Sequence, residues 1–191
     1  MRIIGIDPGS IICGYGLIET ANSQKSIVNS QKSALDSRLS TLDSCNCVYI
    51  ASGRIALSPE SPLHLRLKEL HDTLIDIIRE YNPKEMVVER IFFAKGVKTA
   101  LDLGQVRGIA LLCATSEGLD IYEYSALEVK KAITGYGRAE KKQVREMVMR
   151  ILNLNSYQLS AISLTEDSAD ALALALCHIN TVKFNKASST P

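Results

Sequence analysis

Two short runs of branched apolar residues, RIIGI at 2–6 and EMVVERI at 85–91, read as buried strands, and an acid ends the first and sits within the second. Asp7 closes the first run and Glu89 lies within the second. A carboxylate in an apolar strand is costly to bury unless charge or hydrogen bonds compensate it. A fold built on these strands therefore has to bring something positive to its acids.

The rest of the chain supplies layers for such a sheet. Asp7-Pro8-Gly9-Ser10 is a turn sequence. A second strand is expected at 14–19 (GYGLIE), where Gly14 and Gly16 point to a tight entry or a close backbone approach. Residues 20–46 hold seven serines and no aromatic residue, and read as a polar excursion between strands. A third strand follows at 47–57. Pro59 and Pro62 then open a helix whose stripe is Leu63, Leu67, Leu70, Leu74, Ile77 and Tyr81, at steps of three and four, and Asn82-Pro83 stops it. After the strand at 85–91, helices are expected at 98–116, 126–133, 139–152 and 166–182, with a strand at 121–124. The order β-β-β-α-β-α-β-α-α-α predicts an α/β fold: a mixed sheet, antiparallel among its first strands and parallel later, flanked by helices. One domain over residues 1–182 suits a chain of 191 residues, with 183–191 expected to be a disordered tail.

Four acids stand out: Asp7, Glu89, and the pair Asp167 and Asp170, which share one face at the start of the last helix. Singly, each has a plain reading as a turn residue, a strand-end ion pair, a first-turn acid or a solvated helix residue. Crowded together they would repel, and hard oxygen donors of this kind suit Mg²⁺ or Mn²⁺ rather than zinc. His64, His71 and His178 read as surface or packing residues. The five cysteines are scattered; Cys45 and Cys47 are close, but no CxxC or Cys/His ligand set accompanies them. No run approaches the roughly 18 apolar residues of a membrane span. The first ten residues lack a secretory pattern, so a reducing, cytoplasmic setting is expected.

Charge is uneven. The whole chain has 22 Lys+Arg against 21 Asp+Glu, a net +1 that taken alone discourages a nucleic-acid partner. Residues 84–150 hold twelve basic and nine acidic residues, and 130–150 hold seven basic and two acidic. A solvated helical face would look similar; a phosphate-binding surface is the functional reading.

The stretches IGIDPGSIICGYGLIE, VVERIFFAKGVKTALDLGQVRG, GYGRAEKKQV and EDSADALALALCH resemble, in order, the RuvC family of Holliday-junction resolvases. The resemblance spans most of 1–19 and 85–180. It implies a ribonuclease-H-like fold and a homodimeric, metal-dependent crossover junction endodeoxyribonuclease. Recombination and repair would be its setting, with a RuvA–RuvB branch-migration complex as partner. By motif, Asp7, Glu89, Asp167 and Asp170 would be both metal-binding and catalytic. Two Mg²⁺ ions roughly 3.5–4 Å apart would serve a symmetric hydrolysis leaving 5′-phosphate and 3′-hydroxyl ends, with Mn²⁺ able to substitute.

The resemblance also suggests DNA contacts. Lys130 and Lys141 occupy positions like the family's site-proximal lysines, and Arg107 in GQVRG is a further phosphate candidate. Phe92 matches the ring that stacks on an unpaired base, against a plain packing role beneath the next helix. Gly104 and Gly108, four apart, permit close helix approach, within the monomer or across a two-fold. Cys13, Arg90, Gly96 and the long 20–46 excursion depart from the family pattern. Two other readings stay open at this level: another ribonuclease-H-like enzyme of different substrate, and a non-catalytic DNA-binding module. An actin-like phosphotransferase would need motifs for which 191 residues leave little room.

Overall fold

The computed structural model describes residues 1–20, 47–90, 96–154 and 164–188. Among these described residues five strands form one sheet: β1 (Arg2–Asp7), β2 (Ile12–Thr20), β3 (Cys47–Ala56), β4 (Glu85–Glu89) and β5 (Asp120–Tyr124). Their order is β3-β2-β1-β4-β5. The first three are antiparallel neighbours, whereas β1, β4 and β5 run parallel. Among the described residues the helices are α1 (Leu63–Tyr81), α2 (Val97–Ser116), α3 (Ala126–Thr134), α4 (Lys141–Ile151) and α5 (Glu166–Ser188). This is the expected mixed α/β sheet, and the observed boundaries lie within two residues of the predicted ones except at the end of α5.

That exception has a local cause. Residues 183–188 (KFNKAS) hold neither Pro nor Gly, so nothing breaks the helix at Val182, and it runs six residues further. The expected disordered tail is therefore helical to Ser188. The 20–46 excursion, apart from Thr20 at the end of β2, lies outside the described residues, as do Cys45 and Phe92.

Strand alternation splits the core in two. Ile4 and Ile6 of β1, with Met86 and Val88 of β4, pack beneath α1 and α2. Ile3 and Val87 point the other way, against α3, α4 and α5. The same period of two sends Gly5 and Asp7 of β1, and Glu85 and Glu89 of β4, to the α5 side.

Glycines let α5 lie directly on the sheet. A Cβ on Gly5 would fall on the carbonyl oxygen of Ala171, and one on Gly14 would fall on that of Asp167. At Gly16 it would stand 2.6 Å from Leu172 Cγ. Helix α5 answers with small residues: Ala169, Ala171, Ala173 and Ala175 are all buried. The glycines predicted to mark a close backbone approach thus form the groove that receives this helix.

Polar ties fix its register. His178, 1% exposed, holds Tyr124 Oη through Nδ1 at 2.8 Å and Glu85 Oε2 through Nε2 at 3.0 Å. Tyr122 packs on its ring with centroids 4.1 Å apart. The packing role expected for His178 becomes a three-element clamp joining α5 to the far edge of the sheet. At the other end of α5, the Thr165 N–H donates to Ser168 Oγ and the Ser168 N–H to Thr165 Oγ1, at 3.0 and 3.2 Å. The helix cap is therefore Thr165 with Ser168, and Asp167 is not used for it.

Candidate active site

The acids meet because three elements end or begin at one place. Asp7 and Glu89 are the last residues of neighbouring parallel strands, and extending the Ile6–Val88 pairing by one residue sets them side by side. Helix α5, seated in the glycine groove, brings Asp170 over both. A cavity of about 220 Å³ opens between them, lined by Asp7, Glu89 and Asp170 together with Lys130 of α3 and Lys141 of α4. Its apolar wall comes from Ala126, Val129, Val144 and Leu174. The carboxyl ends of parallel strands are where an open α/β sheet places its ligands.

The electrostatics are those of an under-neutralised cluster. Asp7 is pushed up to about 7, first by burial and then by the charges of Glu89 and Asp170; Lys141 pulls it down and Asp167 adds a smaller push upward. Glu89 is raised by burial and by Asp170, against a hydrogen bond from Asp7 and the pull of Lys141 and Lys130. Lys141 Nζ stands 3.2 Å from Asp170 Oδ2, and that carboxylate holds the ammonium above its ordinary value. Asp167 is half-buried on β2 at Gly14; it contributes to the field on Asp7 but does not line the cavity.

Among the described residues, no three acidic, histidine or cysteine side chains form a ready-made ligand group for a metal. The donor set nevertheless fits one. All its members are hard carboxylate oxygens, and burial with neighbouring negative charge raises Asp7 to about 7 and Glu89 above its ordinary value, a penalty that a divalent cation relieves. Asp7, Glu89 and Asp170 are the residues that would hold it, with Asp167 next to Asp7.

Other predicted residues fall differently. Lys130 and Lys141 are at the cavity. Arg107 forms a part-buried ion pair with Glu123, so its guanidinium is engaged within the chain rather than presented to solvent phosphates. The reason lies in topology: β5 runs beside β4 and sets Glu123 within reach of α2, a long-range pairing that no local pattern announces. The Cys13 thiol, raised to about 12 by burial and by the Asp7 charge, stays protonated and inert. Arg90 bonds the Glu123 carbonyl at 3.2 Å.

Sequence reasoning passed over Arg66, whose Nη1 donates to the Ser10 carbonyl at 2.6 Å. It ties α1 to the turn that follows Asp7. The apolar wall of Val129, Val144 and Leu174 was also visible only as core periodicity.

A sheet of this order, with acids on the ends of β1 and β4 and on the helix crossing them, defines the ribonuclease-H-like class of metal-dependent nucleases. Within that class the chain belongs to the RuvC family. The model of that family, crossover junction endodeoxyribonuclease RuvC, matches residues 39–178. A crossover junction endodeoxyribonuclease RuvC of Halothermothrix orenii is 40% identical over 186 residues, covering 97% of this chain and 96% of its own. That of Desulforamulus reducens is 43% identical over 179 residues, covering 93% of each. Thermus thermophilus RuvC in complex with Holliday junction substrate superposes with a TM-score of 0.77 at 26% identity, over 97% of this chain and 96% of that one.

Proposed function

We propose that this protein resolves four-way DNA junctions, cutting two strands symmetrically by metal-dependent hydrolysis to leave 5′-phosphate and 3′-hydroxyl ends. The observation that carries the reading is the raised Asp7–Glu89 pair beneath Asp170, in a cavity flanked by two lysines. Acids alone would repel a phosphodiester. Lys130 and Lys141 at the rim offset that repulsion and hold the phosphate over the carboxylates.

The metal ions, Mg²⁺ by choice of ligand and two in number, would supply a lowered water pKa and charge stabilisation of the departing 3′-oxygen. Asp7, Glu89 and Asp170 orient that chemistry, and Asp167 adds negative field from the first turn of α5. Val129, Val144 and Leu174 exclude bulk water from the inner side of the cavity. Phe92 retains its expected role as the ring that stacks on an unpaired base, a reading that rests on sequence alone.

Two cuts related by symmetry call for two copies of the site. Helix α2 offers a surface for that: Val97, Leu101 and Leu112 are exposed at 80%, 61% and 54%. Gly104 and Gly108, on the same face, have open space above them. A homodimer through this stripe would bury it. Family membership supports action beside a RuvA–RuvB complex in recombination and repair. Among the described residues no helix is long and apolar enough to cross a membrane.

The test is to incubate the purified protein with a synthetic four-way junction and, separately, linear duplex, in Mg²⁺. Paired symmetric nicks in the junction support the reading. Equal cutting of duplex, or none of the junction, refutes it.

A further inference from the structure

The loop joining α3 to α4 presents an exposed aromatic ring. Tyr136 is 60% exposed, and Leu127, on the first turn of α3, is 61% exposed. Leu127 lies against the residue after Tyr136, since a methyl placed on Gly137 would stand 3.2 Å from Leu127 Cγ. Large apolar side chains held in water need a reason when they cluster beside a functional site.

The loop is built to hold the ring outward. Gly135 ends α3 in the left-handed region at φ +77°, a conformation that turns the chain sharply out of the helix. Thr134 Oγ1 accepts from the Tyr136 N–H at 3.2 Å and stands 3.1 Å from the Tyr136 carbonyl oxygen. That carbonyl also accepts from the Ala139 N–H at 3.1 Å. The backbone of Tyr136 is thus bonded on both sides, and its side chain borders an open cavity together with Gln143, Met147 and Arg150 of α4.

Its surroundings select the occupant. The loop connects the helix that supplies Lys130 to the helix that supplies Lys141, the two lysines of the carboxylate cavity. Lys131, Arg138 and Lys142 are exposed alongside. Residues 130–150 carry seven basic and two acidic residues. A rigid exposed ring in a positive field is the composition of a stacking platform for single-stranded or unpaired nucleotides. An acid-bearing protein surface would answer the charge but gives no use for an exposed ring.

We infer that Tyr136 stacks on a nucleobase of the DNA strand whose phosphate enters the carboxylate cavity. This rests on the proposed function and extends it to a contact that fixes how the strand lies over the acids. Lys130 and Lys141 neutralise the backbone; Tyr136 grips the base. Stacking tolerates every base, so the contact supplies affinity and position rather than sequence choice.

The chain contains no tryptophan, so Tyr136→Trp introduces one indole at the point in question. It would be titrated with an uncut four-way junction in the metal-free buffer that prevents cleavage. The inference predicts quenching of the indole emission on binding. Tyr136→Ala should weaken junction binding by about five- to a hundred-fold, the scale of one base–aromatic stack. Tyr136→Phe should restore it to within about twofold, and Tyr136→Leu should not. Binding by Tyr136→Ala at the wild-type level, or unquenched emission from a bound Tyr136→Trp protein, overturns the inference. If the wild-type protein meanwhile cuts the junction, only this contact is lost; if it does not, the proposed function fails as well.

Discussion

Lys141 Nζ stands 3.2 Å from Asp170 Oδ2, so the carboxylate cluster carries a counter-cation from its own chain. The ammonium belongs to the first residue of α4 and the carboxylate to the second turn of α5, two helices packed on the same face of the sheet. Lys141 also acts on Asp7, whose ionised form it favours against burial and three neighbouring acids. Tuning of the acids and the phosphate contact proposed above thus fall to one side chain.

Lys141→Ala should therefore shift the pH dependence of cleavage as well as its rate. Loss of the positive charge raises Asp7 further above about 7, and the carboxylates must lose their protons before a metal ion can bind. The acid limb of the rate–pH profile should move to higher pH in the variant. Single-turnover cleavage of a junction between pH 6 and 9 checks this. A uniform loss of rate with an unmoved limb would leave Lys141 with a phosphate-binding role only.

Asp7→Asn should abolish cleavage and stabilise the metal-free protein at alkaline pH. The ordinary Asp7 value is 3.8 and the folded value about 7, so between these the folded state binds more protons than the unfolded state. Wild-type stability then falls as pH rises from about 4 to about 7. The asparagine carries no such dependence, and its melting temperature at pH 8 in chelator should exceed that of the wild type. A domain of this size gains about 2–4 °C per kcal/mol. Added Mg²⁺ should raise the wild-type melting temperature and leave the variant unchanged.

Gly14→Ala tests the groove. The added methyl would fall on the carbonyl oxygen of Asp167, backbone that cannot swing aside as a side chain would. Overpacking of this kind costs about 1–3 kcal/mol, and it would lift the first turn of α5 away from Asp7. Cleavage should drop by more than the fall in folded fraction, measured by comparing rates with circular dichroism at the same temperature. Activity at the wild-type level would show that α5 can be displaced without cost to the site.

Tyr124→Phe removes one hydroxyl from the clamp at His178. The imidazole Nδ1, buried at 1% residue exposure, would lose its partner at 2.8 Å. An unpaired buried polar atom costs about 1–3 kcal/mol, which a urea denaturation midpoint would show. An unchanged midpoint would mean that water reaches the ring.

What could be read from sequence divides along physical lines. Strand and helix order followed from local periodicity: the Leu63–Tyr81 stripe became α1, and the close approach inferred from Gly14 and Gly16 became the seat of α5. Glu89 stood out because an acid among Met86, Val87 and Val88 needs compensation. The Arg107–Glu123 pair and the Tyr124–His178–Glu85 clamp did not stand out, because each joins residues brought together by strand order rather than by neighbourhood in the chain. Asp167 illustrates the middle ground: three residues from Asp170 on one helix, it lies on the right face but at Gly14, outside the cavity that Asp170 lines.

The proposed metal site at the Asp7 cluster is what hydrolysis of a four-way junction would depend on. The most direct measurement of that dependence maps the nicks in a junction labelled on each strand in turn, with wild-type protein and Asp7→Asn compared in Mg²⁺ at pH 8. Symmetric nicks on two opposed strands with the wild type, ligatable without end repair, and intact strands with a variant that still binds the junction are the predicted result. Cleavage by Asp7→Asn at the wild-type rate would contradict it.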